Sequence, residues 1–151
     1  MSGYCTVFGI DSHARTTTVC AVDASTGEVR VRTFRGNPYG EMAEWMAGFP
    51  QPSYGVYEAG CTGFVPAREL SAEGRRVVPI ATSHIPTSPD DRSRKTDRRD
   101  AERLARLITT GRVDPSPMLT HRFYGLAHVE QALLLMKDKT PELIKPVVYL
   151  D

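Results

Sequence analysis

The sequence has no apolar run approaching the roughly 20 residues that span a bilayer. Its first residues, Met1-Ser2-Gly3-Tyr4, lack the basic and apolar blocks of a signal peptide. Cysteine is scarce. Cys5, Cys20 and Cys61 are odd in number and have no zinc-like spacing, which argues against a disulfide framework. Net charge is nearly absent as well: 19 basic against 18 acidic side chains leave +1, so no global field draws the chain to nucleic acid or to a membrane. With 151 residues, 40% hydrophobic and 25% charged, the composition fits a soluble globular protein with a core of its own. The expected setting is cytoplasmic, with reduced thiols and no membrane partner.

The neutral total conceals an uneven distribution. Residues 1–91 hold seven basic and ten acidic side chains. Residues 92–112 hold eight basic ones (Arg92, Arg94, Lys95, Arg98, Arg99, Arg103, Arg106, Arg112) against three acidic ones (Asp97, Asp100, Glu102). A short cationic segment in a mildly acidic chain is the footprint of a local polyanion contact, although a solvated helix face has the same composition.

Pattern and punctuation give the order of elements. Tyr4 to Ile10 is an apolar run ending at Asp11; Thr16 to Val22 is β-branched, and Glu28 to Phe34 alternates polar with apolar residues. Gly27 marks a tight turn, so three strands of an antiparallel meander are expected. Asn37-Pro38 starts a helix in which Met42, Trp45 and Met46 share a face through to Gly48. Ser53 to Tyr57 reads as a strand leading into Glu58, Phe64 to Glu73 as a helix with Phe64, Ala67 and Leu70 on one side, and Arg76 to Ile80 as a strand. Ala81 to Arg94, rich in Ser, Thr, Pro and Asp, reads as a loop. Asp97 to Thr110 reads as a helix carrying Leu104, Leu107 and Ile108, closed by Gly111. Three strands, helix, strand, helix, strand, helix is the order of an α/β fold of RNase H-like (RuvC-like) type, a mixed sheet flanked by helices. Fold alone says little about chemistry.

The acidic residues carry more. Asp11 closes the first strand, Glu58 closes the fourth, and Asp97 and Asp100 lie three apart at the head of the last helix, on one face. Ligands sit at strand ends in open α/β sheets. If the first and fourth strands are neighbours, four carboxylates converge, and such a cluster calls for a hard divalent cation, Mg²⁺ or Mn²⁺. Pairs of such ions serve phosphodiester chemistry. Each residue also has a structural reading: Asp11 as a turn residue, Glu58 as a solvated strand end, Asp97 as a charge favoured by the helix dipole, and Asp100 as an ion-pair partner of Arg99 or Arg103. His13, two residues beyond Asp11, could approach a phosphate or a metal; an exposed or satisfied histidine is the plainer reading. Tyr57 reads as core rather than as a base-stacking platform.

The words around these residues are distinctive. Gly9-Ile10-Asp11-Ser12-His13, Tyr57-Glu58-Ala59-Gly60-Cys61-Thr62-Gly63-Phe64 with Ala67-Arg68-Glu69-Leu70, and Lys95-Thr96-Asp97-Arg98-Arg99-Asp100-Ala101 before Leu104-Ala105 occur in that order. From about Tyr4 to Gly111 the chain resembles the N-terminal catalytic domain of the DEDD insertion-sequence transposases, a class related to the Piv DNA invertase. The resemblance implies a RuvC-like domain whose metal-binding and catalytic tetrad is Asp11, Glu58, Asp97 and Asp100. It also implies DNA transposition or inversion, Mg²⁺ (or Mn²⁺) dependence, oligomeric assembly on DNA ends and a guiding non-coding RNA. Within it, Arg92, Arg94, Lys95, Arg98 and Arg99 flank the metal site and are candidates to neutralise DNA phosphates.

After Gly111-Arg112-Val113-Asp114-Pro115 that family continues into a long helical segment and a second domain bearing a serine nucleophile, and this sequence departs from the pattern. Leu119 to Gly125, Val129 to Lys139 and Leu143 to Leu150 are instead similar to the extreme C-terminus of zinc-dependent medium-chain alcohol dehydrogenases. The zinc ligands and the Gly-x-Gly-x-x-Gly segment of that second family do not occur here. Val129, Ala132, Leu133 and Met136 form a helical stripe, and Ile144 to Leu150 reads as an edge-type strand containing Pro146. His121 and His128 read as capping or exposed residues. The expected organisation is a catalytic domain over 1–111 and a helix–strand appendage over 112–151, from a hybrid reading frame. Three functions are thereby set against one another: a transposase catalytic domain, inactive alone without its serine-bearing partner domain; a non-catalytic nucleic-acid-binding remnant; and a dehydrogenase-related fragment, which lacks its cofactor loop and metal ligands.

Overall fold

The computed structural model describes residues 3–60, 62–81, 85, 96–112, 121–138 and 146–149. The chain divides into two compact units, Met1–Pro115 and Ser116–Asp151.

In the first unit, β1 (Thr6–Ser12), β2 (Thr16–Asp23) and β3 (Val29–Arg35) form the expected meander. Helix α1 (Tyr39–Ala47) follows, then β4 (Ser53–Glu58), α2 (Val65–Ala72), β5 (Val77–Ile80) and α3 (Asp97–Thr109). The sheet order is β3-β2-β1-β4-β5, with β1 antiparallel to β2 and parallel to β4. This mixed sheet flanked by helices is the RNase H-like arrangement anticipated from the element order. The β2–β3 turn depends on Asp23, whose Oδ1 accepts hydrogen bonds from the backbone N–H groups of Ser25 and Thr26, with Gly27 at φ +74°. The Ser25 hydroxyl, which donates to the same oxygen at 2.6 Å, and these two backbone bonds hold the Asp23 carboxyl down at about 2.

Period-two alternation assigns the two sheet faces to two cores. Phe8, Ile10, Val19, Ala21, Tyr57 and Val77 pack against α1 and α2 through Met42, Met46 and Leu70. Val7, Cys20, Val22, Tyr54, Val56 and Ile80 pack against α3 through Ala101, Leu104, Ala105 and Ile108. Tyr57 belongs to the core, fully buried, and its hydroxyl donates to the Gly63 carbonyl at 2.7 Å. Burial pushes the Cys20 thiol up to about 12, so it behaves as a small apolar residue. One expectation is corrected. Phe64 precedes α2 and is 39% exposed, because the helix starts one residue later and turns Pro66 and Leu70 inward.

The second unit is a small β–α–β element: β6 (His121–Tyr124), a 3₁₀ turn (Leu126–His128), α4 (Val129–Asp138) and β7 (Pro146–Tyr149). Strands β6 and β7 pair in parallel. The sequence reading has no counterpart for β6, a strand of only four residues. Pro146 stands first in β7, where its missing N–H interrupts no ladder. The stripe proposed for α4 is also corrected. Ala132 is buried, but Leu133 and Met136 are 60% and 49% exposed, so the helix is rotated to turn Val129, Ala132 and Leu135 inward.

Candidate metal centre

The geometry of the site begins with a glycine. Positions 7, 9, 11 and 13 alternate onto the face covered by α3, and Gly9 lies where that helix crosses β1. A Cβ at Gly9 would overlap the Ala101 carbonyl oxygen and lie 2.7 Å from the Ala105 nitrogen. The missing side chain therefore lets the helix backbone rest on the strand. One turn before Ala101 is Asp97; one step further on the same face of β1 is Asp11. The start of α3 is fixed by Thr96, an extended N-cap whose Oγ1 accepts from the Arg99 N–H at 3.3 Å. Asp97 and Asp100 occupy its first turn, where the helix dipole favours negative charge.

Three side chains meet there. Ligand atoms of Asp11, His13 and Asp97 all lie within 4.8 Å of one another. His13 Nε2 is 3.0 Å from Asp11 Oδ2 and 3.9 Å from Asp97 Oδ1. The Asp11 side chain is 17% exposed, against about half for the other two. Burial pushes the Asp11 carboxyl above its ordinary value; His13 opposes the shift, and the negative charges of Asp97 and Asp100 add to it. Two carboxylates and an imidazole, with one carboxylate partly withdrawn from water and a further carboxylate nearby, form an oxygen-rich donor set with excess negative charge. That set fits a divalent cation, which would relieve the repulsion that otherwise favours a protonated Asp11.

The four carboxylates anticipated from sequence are placed unequally. Asp11 and Asp97 come together. Asp100, half-buried on α3, is close enough to act electrostatically on Asp11. Glu58 lies one residue beyond Tyr57, the parallel partner of Ile10, and alternates with Tyr54 and Val56 onto the α3 side of the sheet. It is exposed and outside the three-residue cluster. Arg98 and Arg99 are exposed on the first turn of α3, whereas Arg92, Arg94 and Lys95 lie outside the described residues. Further along α3, Arg106 Nε is 2.8 Å from Glu102 Oε1, one helical turn away, as on a solvated face. His128 contacts the Tyr124 carbonyl oxygen through Nδ1 at 2.6 Å, a local structural bond.

His13, half exposed and in contact with Asp11, was not among the four carboxylates anticipated as ligands. Its signal was parity: two residues beyond Asp11 on an extended chain means the same face. Its backbone is held by hydrogen bonds from His13 N–H to the Thr16 carbonyl at 2.9 Å and from Asn37 Nδ2 to the His13 carbonyl at 3.3 Å. Asn37 Oδ1 also accepts from Ser12 Oγ and Thr17 Oγ1, tying the end of β1 to the start of β2.

Comparison with known proteins places this geometry in a lineage. The IS110-type DEDD transposase family matches residues 8–131, well over half of the sequence. The chain belongs to that family. The match extends past Gly111, where the resemblance read from motifs stops. The protein y4qE of Sinorhizobium fredii (strain NBRC 101917 / NGR234), which carries a transposase name, is 47% identical over 58 residues, covering 38% of this chain and 15% of that protein. NADP-dependent isopropanol dehydrogenases are also similar over a short length. That of Entamoeba histolytica (strain ATCC 30459 / HM-1:IMSS / ABRM) is 62% identical over 47 residues, 31% of this chain and 13% of the relative. That of Thermoanaerobacter brockii is 55% identical over 49 residues, 32% of this chain and 14% of the relative. The chain thus spans 13 to 15% of the length of these curated relatives. Among solved structures, the large terminase nuclease from thermophilic phage G20c is similar with a TM-score of 0.43 and 17% identity, covering 74% of this chain and 57% of that one. No helix among the described residues is long and apolar enough to cross a membrane.

Proposed function

We propose that the first unit is the metal-binding catalytic domain of a DNA transposase or recombinase, acting on phosphodiester bonds of DNA. The observation that carries this reading is the meeting of Asp11 and Asp97, distant in sequence, within one 4.8 Å cluster at the C-terminal end of β1. Asp11 and Asp97 would hold a divalent ion, Mg²⁺ or Mn²⁺. Asp100 adds negative charge, and Glu58, exposed on the adjoining strand, would be the fourth carboxylate of the tetrad. An ion held there would activate a nucleophile and stabilise a leaving oxygen. Arg98 and Arg99 lie beside the carboxylates on α3 and, with Arg92, Arg94 and Lys95, would neutralise the phosphates flanking the scissile one. The same reading includes a homo-oligomer on DNA ends, a guiding non-coding RNA as partner, and a cytoplasmic setting.

For residues 112–151 we propose a dehydrogenase-derived segment joined to the transposase domain. The short, strongly similar dehydrogenase matches and the poorly buried apolar side chains of the second unit support it.

The test is metal-dependent DNA binding. Wild-type chain should bind duplex DNA more tightly with Mn²⁺ or Mg²⁺ present, and Glu58→Ala combined with Asp97→Ala should abolish the metal-dependent part. Binding should also weaken steeply with salt, with a slope set by the phosphates neutralised. Affinity indifferent to metal would favour a non-catalytic nucleic-acid-binding remnant over the catalytic reading, and a flat salt response would return the cationic segment to a solvated helix face.

A further inference from the structure

We propose that His13 is a direct nitrogen ligand of the cation, so that the site prefers Mn²⁺ to Mg²⁺; this rests on the metal-binding reading above. Adjacent donor atoms in an octahedral shell with metal–ligand distances near 2.1 Å lie about 3 Å apart, and opposite ones about 4.2 Å apart. The Asp11 Oδ2–His13 Nε2 separation of 3.0 Å matches an adjacent pair. The His13 Nε2–Asp97 Oδ1 separation of 3.9 Å lies between the two values, within reach of a small side-chain rotation. A nitrogen lone pair and a carboxylate oxygen do not rest 3.0 Å apart unless a proton or a cation lies between them. The same contact therefore serves as a hydrogen bond without metal and as one edge of a coordination shell with it.

The structure positions His13 for that role from its backbone outward. Its N–H and C=O are both engaged, by Thr16 and by Asn37, so the ring is presented from a fixed origin although the side chain is half exposed. It shares a sheet face with Asp11 by strand parity. Carboxylates and water suit Mg²⁺ and Mn²⁺ alike, but Mn²⁺, a first-row transition ion, accepts an imidazole nitrogen more readily than Mg²⁺ does. A mixed set of two carboxylates and one imidazole therefore shifts preference toward Mn²⁺. Asp11 and Asp97 supply the charge that binds either ion, and His13 supplies the discrimination between them.

The experiment uses the full chain and the metals alone. Pulsed electron paramagnetic resonance on the chain loaded with one equivalent of Mn²⁺ reads directly bound ¹⁴N, and competition with Mg²⁺ reads the preference. Wild type should show nitrogen modulation. His13→Gln, which can still donate a hydrogen bond to Asp11 from its amide, should lose the modulation and weaken Mn²⁺ binding about tenfold while changing Mg²⁺ binding far less. Circular dichroism confirms that the variant folds. Mn²⁺ binding that is lost in Asp11→Asn but shows no nitrogen modulation in wild type overturns the His13 assignment and leaves the carboxylate site standing. A variant that keeps the modulation or the wild-type Mn²⁺-to-Mg²⁺ ratio also overturns it. Absence of Mn²⁺ binding in wild type overturns both the assignment and the metal-binding reading beneath it.

Discussion

The two units of this chain handle apolar surface in opposite ways. In Met1–Pro115 a five-stranded sheet is covered on both faces, and Val7, Phe8, Ile10, Val19, Val56 and Tyr57 are fully buried. Among the described residues of Ser116–Asp151 a two-stranded parallel sheet carries one α-helix, and Leu126, Leu133 and Leu134 are more than half exposed. Parallel strands ordinarily need cover on both faces, and two strands with one helix bury too little to offset the ordering of the chain. The contrast separates a unit that supplies its own core from a segment that behaves as a piece of a larger one. The Asp11, His13 and Asp97 cluster follows the same division, since it requires a helix packed closely on a strand, and the first unit provides this.

The sharpest way to break the comparison is to hollow out each unit in turn. Phe8→Ala removes a fully buried ring from the α1/α2 side of the sheet and should cost about 3–5 kcal/mol in urea unfolding. Leu133→Ala on α4, at an exposed site, should change stability by no more than about 0.5 kcal/mol. Equal effects would erase the distinction between the units.

Next in size is Gly9→Ala. One methyl group forced against the Ala101 carbonyl should cost about 1–3 kcal/mol, and it should also weaken Mn²⁺ binding by lifting the start of α3 away from Asp11. A variant that loses stability but binds Mn²⁺ like wild type would uncouple the helix–strand contact from the site. A smaller effect, and one of opposite sign, is expected for Asp11→Asn. Because burial and neighbouring carboxylates raise the folded-state pKa of Asp11, its ionisation opposes folding. In metal-free buffer the wild type therefore loses stability as pH rises above the ordinary carboxylate range, and the neutral variant should melt higher at pH 7. A lower or unchanged melting temperature would contradict the charge crowding.

The smallest effect lies far from the site. Asp23 is held down at about 2 by the Ser25 and Thr26 bonds, so its stabilisation is present above pH 4 and fades as pH falls toward 2. Asp23→Asn should accordingly be less stable than wild type near neutrality and indistinguishable from it at the acid end. A stability difference independent of pH would argue against the turn hydrogen bonds as its cause.

Much of the first unit was legible in the sequence because its signals are local and periodic. The β-branched run of β2, the alternation in β3, the Gly27 turn and the Leu104/Ile108 stripe of α3 each lead to the observed element. Asp11, Asp97 and Asp100 were legible as candidates because their residue types sit at strand and helix ends, and the structure brings Asp11 and Asp97 together. Glu58 was placed correctly on β4, but its side-chain direction is a tertiary property that no spacing encodes. His13 was legible only as a residue that could approach a phosphate or a metal, because a single exposed histidine carries no pattern until Asp97 arrives beside it. In the second unit the stripe read for α4 failed for a related reason. Its leucines surround the helix, so periodicity cannot choose a face without knowledge of what packs against it.

The central claim is that Asp11 and Asp97 share one cation. Titrating Mn²⁺ into wild type, Asp11→Asn and Asp97→Asn, with the free ion read by electron paramagnetic resonance, tests it most directly. One site per chain in wild type, lost in each single variant, is the predicted result. Wild-type affinity retained in either variant would contradict it.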